Sequence, residues 1–119
     1  MTLQTFIDNF VWRKDGIDSW RILQAGDEVG DCDDFAITVG YLEAGSFVRH
    51  LLDIWTFKNS FHRVDTTGGS HIVLHRRGMG YIDNIQPQWR ADIGYKRKLP
   101  YVILPPVVML KIFIGWIVK

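Results

Sequence analysis

The sequence predicts a single α+β domain in which helices come first and an antiparallel sheet follows. Apolar residues recur at helical spacing as far as Phe57, whereas beyond Asn59 the pattern changes to short β-type runs separated by glycine-containing turns. The 119 residues suit one hydrophobic core, and 47% hydrophobic against 23% charged residues is the composition of a globular chain. A net charge of +1 gives no reason to expect nucleic acid as a partner.

The first half contains three predicted helical stretches. The first runs from Leu3 to about Gln24 and is followed by a loop around Gly26 and Gly30. A long helix is predicted from Cys32 to a break at Gly45-Ser46, with a buried face formed by Phe35, Ala36, Val39, Leu42 and Ala44. A third is predicted from Phe47 to about Phe57, with an amphipathic stripe of Val48, Leu51, Leu52 and Trp55. The aromatic residues Trp55, Phe57 and Phe61 are expected in the core.

The second half predicts consecutive β-hairpins. A strand over residues 61–64 is followed by a turn at residues 66–69, and further strands over 71–75 and 81–85 flank Arg77-Gly78-Met79-Gly80. In an antiparallel hairpin, directly paired residues lie on the same face and alternate residues of each strand face opposite sides. Two residues on different strands therefore share a face only when one lies an even number of positions from the other's cross-strand partner. A three-residue loop over 77–79 would set His71 and Asp83 on one face, whereas a two-residue turn would separate them.

Cys32 is the only cysteine, which rules out a disulfide within the chain. The glycine-containing loop places Cys32 in the first turn of a helix with an apolar face. At a helix start the dipole and the unpaired N–H groups lower the pKa of a thiol, and the N–H groups can also donate to an oxyanion. Asp31, Asp33 and Asp34 oppose thiolate formation there. Cys32 therefore needs a cationic partner, for which histidine is the usual residue.

The segments GDCDDFA and SHIVLHRRGMGYIDN resemble the transglutaminase-like cysteine peptidase superfamily, in its small bacterial and phage forms, over roughly residues 20–89. The resemblance implies a papain-like or transglutaminase-like core, in which the cysteine helix packs on an antiparallel sheet that carries the histidine and aspartate. It implies Cys32 as nucleophile, His71 as general base and acid, and Asp83 as the residue that orients the imidazole. An upstream side chain often completes the oxyanion hole, and Gln24 and Trp20 are the candidates.

The activity expected from this resemblance is thiol-dependent acyl transfer on a protein or peptide substrate, most simply hydrolysis of a peptide or isopeptide amide, with no cofactor. A metal site formed by Cys32, His71, His75 and Asp83 is the weaker interpretation, because the ligand spacings match no familiar zinc pattern. The phage-like form implies a phage-encoded protein in the virion or the host cytoplasm. The alternative is a catalytically silent or membrane-active structural virion component that uses the same fold as a scaffold.

The C-terminal segment is unusually apolar for a small enzyme. Residues 1–100 are predicted to form the peptidase core and residues 101–119 an apolar tail, YVILPPVVMLKIFIGWIVK, interrupted by Pro105, Pro106 and Lys111. The sequence allows three roles for this tail: packing in the core, contact with other virion proteins, or contact with a membrane surface. The N-terminal residues lack the pattern of a secretory signal.

Overall fold

The computed structural model describes residues 2–13 and 20–117 of the chain. Its helices are α1 (Leu3–Asn9), α2 (Cys32–Ala44), α3 (Phe47–Trp55) and α4 (Pro105–Ile117). Its strands are β1 (Val11–Trp12), β2 (Val29–Gly30), β3 (Asn59–Thr66), β4 (Gly69–Arg76), β5 (Gly80–Ile82) and β6 (Lys96–Ile103). The order β5-β4-β3-β6 makes one antiparallel sheet, and β1 and β2 pair in parallel beside it. Helices packed on an antiparallel sheet confirm the predicted α+β class.

Helix α2 begins and ends where the sequence predicts, because both ends carry strong signals. The Asp31 side chain caps the first turn and the Asp34 side chain returns to the Asp31 amide, which together make a capping box. Gly45 adopts φ 88° after the last turn, and its amide donates to the Tyr41 carbonyl. A left-handed residue of this kind is the common helix stop, and it needs glycine.

The predicted helix from Leu3 to about Gln24 is wrong for the described residues that follow Asn9, namely 10–13 and 20–24. Helix α1 ends at Asn9, and residues 14–19 lie outside the described part of the chain. The segment from Trp20 is not helical and runs beside α2 instead. The Arg21 amide donates to Asp34 Oδ1 at 2.8 Å, and the Leu23 amide donates to Thr38 Oγ1 at 2.9 Å. Side chains of α2 thus satisfy the backbone donors that a helix would have used internally.

The main core lies between α2 and one face of the sheet. Phe35, Ala36 and Val39 of α2 belong to the same buried cluster as Phe61 of β3 and Ile72 of β4. Phe61 is in the core as predicted, but Trp55 and Phe57 are about half exposed, so their predicted burial is wrong.

The orientation of α3 explains that error. Its buried residues are His50, Asp53 and Ile54, and Asp53 Oδ2 accepts from the Arg76 guanidinium of β4 at 3.0 Å. Because a buried ion pair must keep its geometry, this contact turns the polar side of α3 inward and leaves its apolar stripe outside.

The β4–β5 hairpin has the loop length that the site requires. Arg76 pairs with Gly80, His75 with Tyr81 and Leu74 with Ile82, which leaves the three-residue loop 77–79. Gly78 in that loop adopts φ 86°, a left-handed conformation that suits glycine. Strand β5 ends at Ile82, three residues short of the predicted strand end, because the Asp83 carboxylate binds the amides of Ile85 and Gln86 and turns the chain.

The predicted boundary between residues 100 and 101 falls inside β6, an edge strand of the sheet that pairs with β3. The rest of the apolar segment forms α4, whose buried residues are Pro105, Val108, Ile112 and Gly115. The Lys111 carbonyl accepts from the Trp20 amide at 3.2 Å. One side of the segment therefore packs against the domain. Over residues 2–13 and 20–117, no helix has both the length and the apolarity to cross a membrane.

Candidate active site

Asp83 occupies the point where β5 ends, and its side chain is completely buried. One carboxylate oxygen, Oδ1, accepts from the amides of Ile85 and Gln86 at 2.8 and 2.9 Å and from the Tyr95 hydroxyl at 3.3 Å. The other, Oδ2, accepts from the Arg90 guanidinium at 2.7 Å. The carboxylate is therefore held from several directions.

The same contacts determine the charge of Asp83. Burial alone raises the pKa of a carboxyl group, but His71, the Gln86 amide and Arg90 outweigh it and hold the pKa of Asp83 below its usual value. Asp83 is consequently a buried anion at neutral pH, placed to interact with a neighbouring imidazole.

His71 lies on β4 directly beside this anion. Its Nε2 atom is 3.3 Å from Asp83 Oδ1, and its side chain is almost completely buried. The two atoms are close, but the geometry is not that of a hydrogen bond. The ring of Tyr95 packs edge-on against the imidazole, with the ring centroids 5.6 Å apart. The structure thus brings His71 and Asp83 together, as the hairpin parity predicts.

Cys32 is the first residue of α2, and its thiol is mostly buried against the end of the sheet. Its Sγ atom donates a hydrogen bond to Asp33 Oδ1 at 3.5 Å, and the backbone amide of Ile72 also lies beside it, where it favours the thiolate. Burial and the negative charge of Asp33 raise the pKa of Cys32 to about 12, and the Ile72 amide lowers it only in part. The helix start therefore does not make Cys32 a resting thiolate, because the adjacent acids and burial act more strongly.

The position of Ile72 defines the relation between Cys32 and His71. Strand β5 makes its last pair with β4 at Leu74, so the Ile72 amide lies beyond the end of β5 and is open to the thiol. Since alternate residues of a strand face opposite sides, His71 points away from the face on which Ile72 packs against α2. Over the described residues, no hydrogen bond joins the Cys32 thiol to the His71 imidazole. The thiol sits at the sheet edge, one residue along β4 from His71.

Neither predicted oxyanion side chain forms a hydrogen bond with Cys32 in the described part of the chain. The Trp20 ring is buried in the core, 5.0 Å from the ring of Phe61. Gln24 is exposed, and its amide donates to the Ile22 carbonyl at 3.4 Å. Because Leu23 already lies beside Thr38, Gln24 is more than a helical turn from Cys32.

The first turn of α2 also has few free donors. The Asp31 carboxylate accepts from the amides of Asp33 and Asp34 at 3.1 and 3.2 Å. The Asp31 carbonyl accepts from the Phe35 amide at 3.0 Å. The amide of Cys32 itself is the first-turn group best placed to face an oxyanion beside its own thiol.

Much of GDCDDFA has a structural explanation independent of catalysis. Asp31 and Asp34 form the capping box, and Asp34 also accepts from the Arg21 amide. A side chain at position 30 would place its Cβ 2.5 Å from Asp34 Oδ2, so only glycine fits there. Capping thus accounts for the glycine and two of the acids, whereas it places no requirement on Cys32.

Two residues of the site were not identified from the sequence. Arg90 and Tyr95 hold Asp83 through a guanidinium group and a hydroxyl group. Both lie in the long irregular segment between β5 and β6, which has no periodicity to indicate which way a side chain points. No sequence signal could have assigned them.

His75 lies on the same strand as His71 but makes different contacts. Its ring packs against Tyr81 at 4.7 Å and His62 at 5.8 Å. Among the residues that the structure describes, no group of three or more histidine, cysteine, aspartate or glutamate side chains is arranged to hold a metal ion.

Neither a family model, nor a curated protein, nor a solved structure matches this chain. The transglutaminase-like resemblance therefore stays a prediction, as do the activity and location that it implies. The observations that bear on function are the buried contact between His71 and Asp83 and the thiol beside the next residue of the same strand.

Proposed function

We propose that the chain is a cysteine-dependent acyl transferase of papain-like or transglutaminase-like type, acting through Cys32, His71 and Asp83. The observation that carries the proposal is the 3.3 Å contact between His71 Nε2 and the buried, ionised Asp83. A carboxylate beside an imidazole holds the ring in one orientation and stabilises the imidazolium that forms during the reaction. The thiol at the Ile72 amide is the nearby nucleophile for such a base.

The roles are assigned from the one contact of His71 with a charged group that the structure shows over its described residues, between its Nε2 atom and Asp83 Oδ1. With Nε2 directed at Asp83, Nδ1 is the nitrogen that exchanges a proton with the thiol. The Cys32 sulfur attacks the amide carbonyl carbon as the thiol proton moves to His71, and the Cys32 amide supports the oxyanion. The C–N bond breaks as His71 protonates the amine, which leaves a thioester on Cys32. Water, or a second amine, attacks the thioester while His71 takes its proton, and the C–S bond breaks to regenerate the thiol.

The raised pKa of Cys32 defines how the first step proceeds. A thiol whose pKa is about 12 is protonated at neutral pH, so no preformed thiolate–imidazolium pair exists in the resting site. His71 must act as a general base during attack, and its imidazole must turn toward the sheet edge to reach the thiol. Hydrogen bonds of catalytic groups are often longer before substrate binds.

Acylation by p-nitrophenyl acetate tests this proposal, with the thioester located by mass spectrometry of the intact chain and its peptides. We expect acetylation at Cys32 at neutral pH, and a loss of about 100-fold in its rate in His71→Ala, as is typical for removal of a general base. His75→Ala is the matched control, because His75 lies on the same strand but packs against Tyr81. Absence of the adduct, or equal rates in wild type and His71→Ala, would overturn the proposal.

The second candidate is a catalytically silent protein that uses this fold as a scaffold for contact with virion proteins or a membrane surface. Two observations favour it: the high pKa of Cys32 and the large apolar side chains exposed on α4. In that case the His71–Asp83 contact serves stability alone. The acylation experiment separates the two, since a scaffold has no reason to acylate Cys32 faster than an ordinary buried thiol.

A further inference from the structure

Helix α3 presents its most apolar side to the exterior. Val48, Leu52 and Trp55 are separated by four and three residues, so they share one helix face. They are 68%, 55% and 52% exposed, whereas His50 and Asp53 on the other side are buried. An amphipathic helix normally faces the core with its apolar stripe, so this inverted arrangement indicates a surface that another molecule covers.

Helix α4 continues this surface. Leu110, Phe113 and Trp116 are all more than half exposed, and Trp116 is 73% exposed. A groove of about 700 Å³ lies between the two helices and the segment that precedes α2. Its lining includes Phe47 and Leu51 of α3 and Met109, Ile112, Phe113 and Trp116 of α4, and the polar residues Arg21, Gln24 and Asp27 line its other side. We call the groove together with the exposed faces of α3 and α4 the α3–α4 surface.

The size of this surface is that of a protein interface. An aromatic side chain covers roughly 150–250 Å². Phe47, Trp55, Phe113 and Trp116 are each about half exposed or more, so together they expose on the order of 400 Å². Val48, Leu52 and Leu110 enlarge the patch toward the roughly 800 Å² that each partner contributes to a stable interface. Monomers rarely leave an apolar patch of this size uncovered.

We infer that the α3–α4 surface is covered by a second copy of this chain in a two-fold symmetric dimer. A two-fold interface brings the same patch of both copies together, so the patch must be self-complementary. This one carries both a projection, Trp116, and a groove that can receive it. The exposed positions of the two stripes are uncharged, and the charged residues that line the groove, Arg21 and Asp27, have opposite signs, so identical copies do not bring charge of a single sign together. A flat bilayer surface would leave the groove between the helices unfilled, whereas the Trp116 side chain of the second copy fills it.

Sedimentation velocity and light scattering on the full chain test this inference at about 50 µM, well above the micromolar Kd of a weak dimer. We expect twice the chain mass of 13.8 kDa for the wild type. Leu52→Glu and Trp116→Glu, one on each helix, should both give monomers with an unchanged circular dichroism spectrum. Leu99→Glu is the matched control, because Leu99 is 88% exposed on β6, outside the α3–α4 surface, and should leave the dimer intact.

Three results would overturn the inference. One is a wild-type chain that stays monomeric at this concentration, and another is a dimer that persists in both glutamate variants. The third is a monomer that binds phosphatidylcholine vesicles through Trp116, shown by a blue shift of its fluorescence that Trp116→Glu removes. That last outcome would assign the same surface to a membrane.

Discussion

The imidazole Nε2 of His71 lies 3.3 Å from Oδ1 of Asp83, and both side chains are almost completely removed from solvent. The contact exists because a three-residue loop joins β4 and β5, and this loop length places the two side chains on the same face of the sheet. It is maintained from the other side by Arg90, which holds Oδ2 at 2.7 Å. The pair is therefore both a candidate catalytic element and a structural one.

Asp83→Ala should destabilise the fold by about 3–5 kcal/mol, because it leaves the guanidinium of Arg90 without its buried partner. Asp65→Ala is the matched control, since Asp65 and its partner Lys98 are both about half exposed and 3.8 Å apart. Removal of such a pair costs about 1 kcal/mol or less. Urea unfolding gives both values, and equal losses in the two variants would show that the Asp83–Arg90 contact adds nothing.

His50 should make stability depend on pH. Burial lowers the pKa of His50 from its usual 6.5 to about 4, despite the nearby charge of Asp53. Between about pH 6.5 and pH 4, His50 is protonated in the unfolded chain but neutral in the folded one. The contribution of His50 to stability is therefore complete above pH 6.5 and falls as the pH drops toward 4. Between pH 7 and pH 5 the loss from this residue is about 2 kcal/mol.

His50→Leu should remove this part of the pH dependence. Urea unfolding at pH 7 and pH 5 should show a smaller difference in the variant than in the wild type. Some difference will remain, because burial also lowers the pKa of His62 to about 4. Identical pH dependence in the two proteins would contradict the account of His50.

Gly115→Ala tests whether α4 is part of the domain. A Cβ at position 115 would collide with the backbone carbonyl of Trp20, so the helix would have to move away from the segment that precedes α2. We expect a loss of about 1–3 kcal/mol in the free energy of unfolding. Helix propensity alone predicts a gain of up to about 1 kcal/mol, so the sign of the change is informative.

Gly68→Ala provides the comparison for that measurement. Position 68 lies in the β3–β4 turn, and the nearest atom to an added Cβ there is Thr66 Oγ1 at 3.8 Å. Its unfolding free energy should stay close to that of the wild type. A neutral or stabilising Gly115→Ala would mean that α4 is not packed tightly against Trp20.

Asp33→Asn should lower the pKa of the Cys32 thiol, because it removes a negative charge and a carboxylate that accepts from Sγ. The thiolate absorbance in a pH titration measures this directly, and alkylation by iodoacetamide at pH 9 should be faster by about threefold or more. Asp8→Asn, on α1, should change neither quantity. An unchanged thiol titration in Asp33→Asn would show that burial alone determines the pKa.

The sequence predicts elements well where local signals act alone. Asp31 and Gly45 determine the ends of α2, and the two glycines around Met79 allow the odd loop that aligns His71 with Asp83. These are local effects of capping and turn geometry, which sequence patterns carry.

The predictions that are wrong concern segments whose position depends on contacts with residues far away in the sequence. The Arg76–Asp53 ion pair turns the apolar stripe of α3 outward, and the amide contacts with α2 keep the segment from Trp20 out of a helix. Likewise, Arg90 and Tyr95 reach Asp83 from an irregular segment. No local pattern shows these contacts, because they join residues far apart in the sequence.

The central claim is that His71 activates Cys32, and the rate of Cys32 alkylation by iodoacetamide between pH 5 and pH 10 tests it most directly. The single cysteine makes the modified residue unambiguous. We predict a rate at neutral pH well above that expected from the small thiolate fraction of a thiol whose pKa is about 12, because His71 removes the proton during attack. This rate should fall by about 100-fold in His71→Ala and be retained in His75→Ala. A rate that is indifferent to His71 and rises only as a thiol of high pKa ionises would contradict the claim, and it would favour the scaffold function.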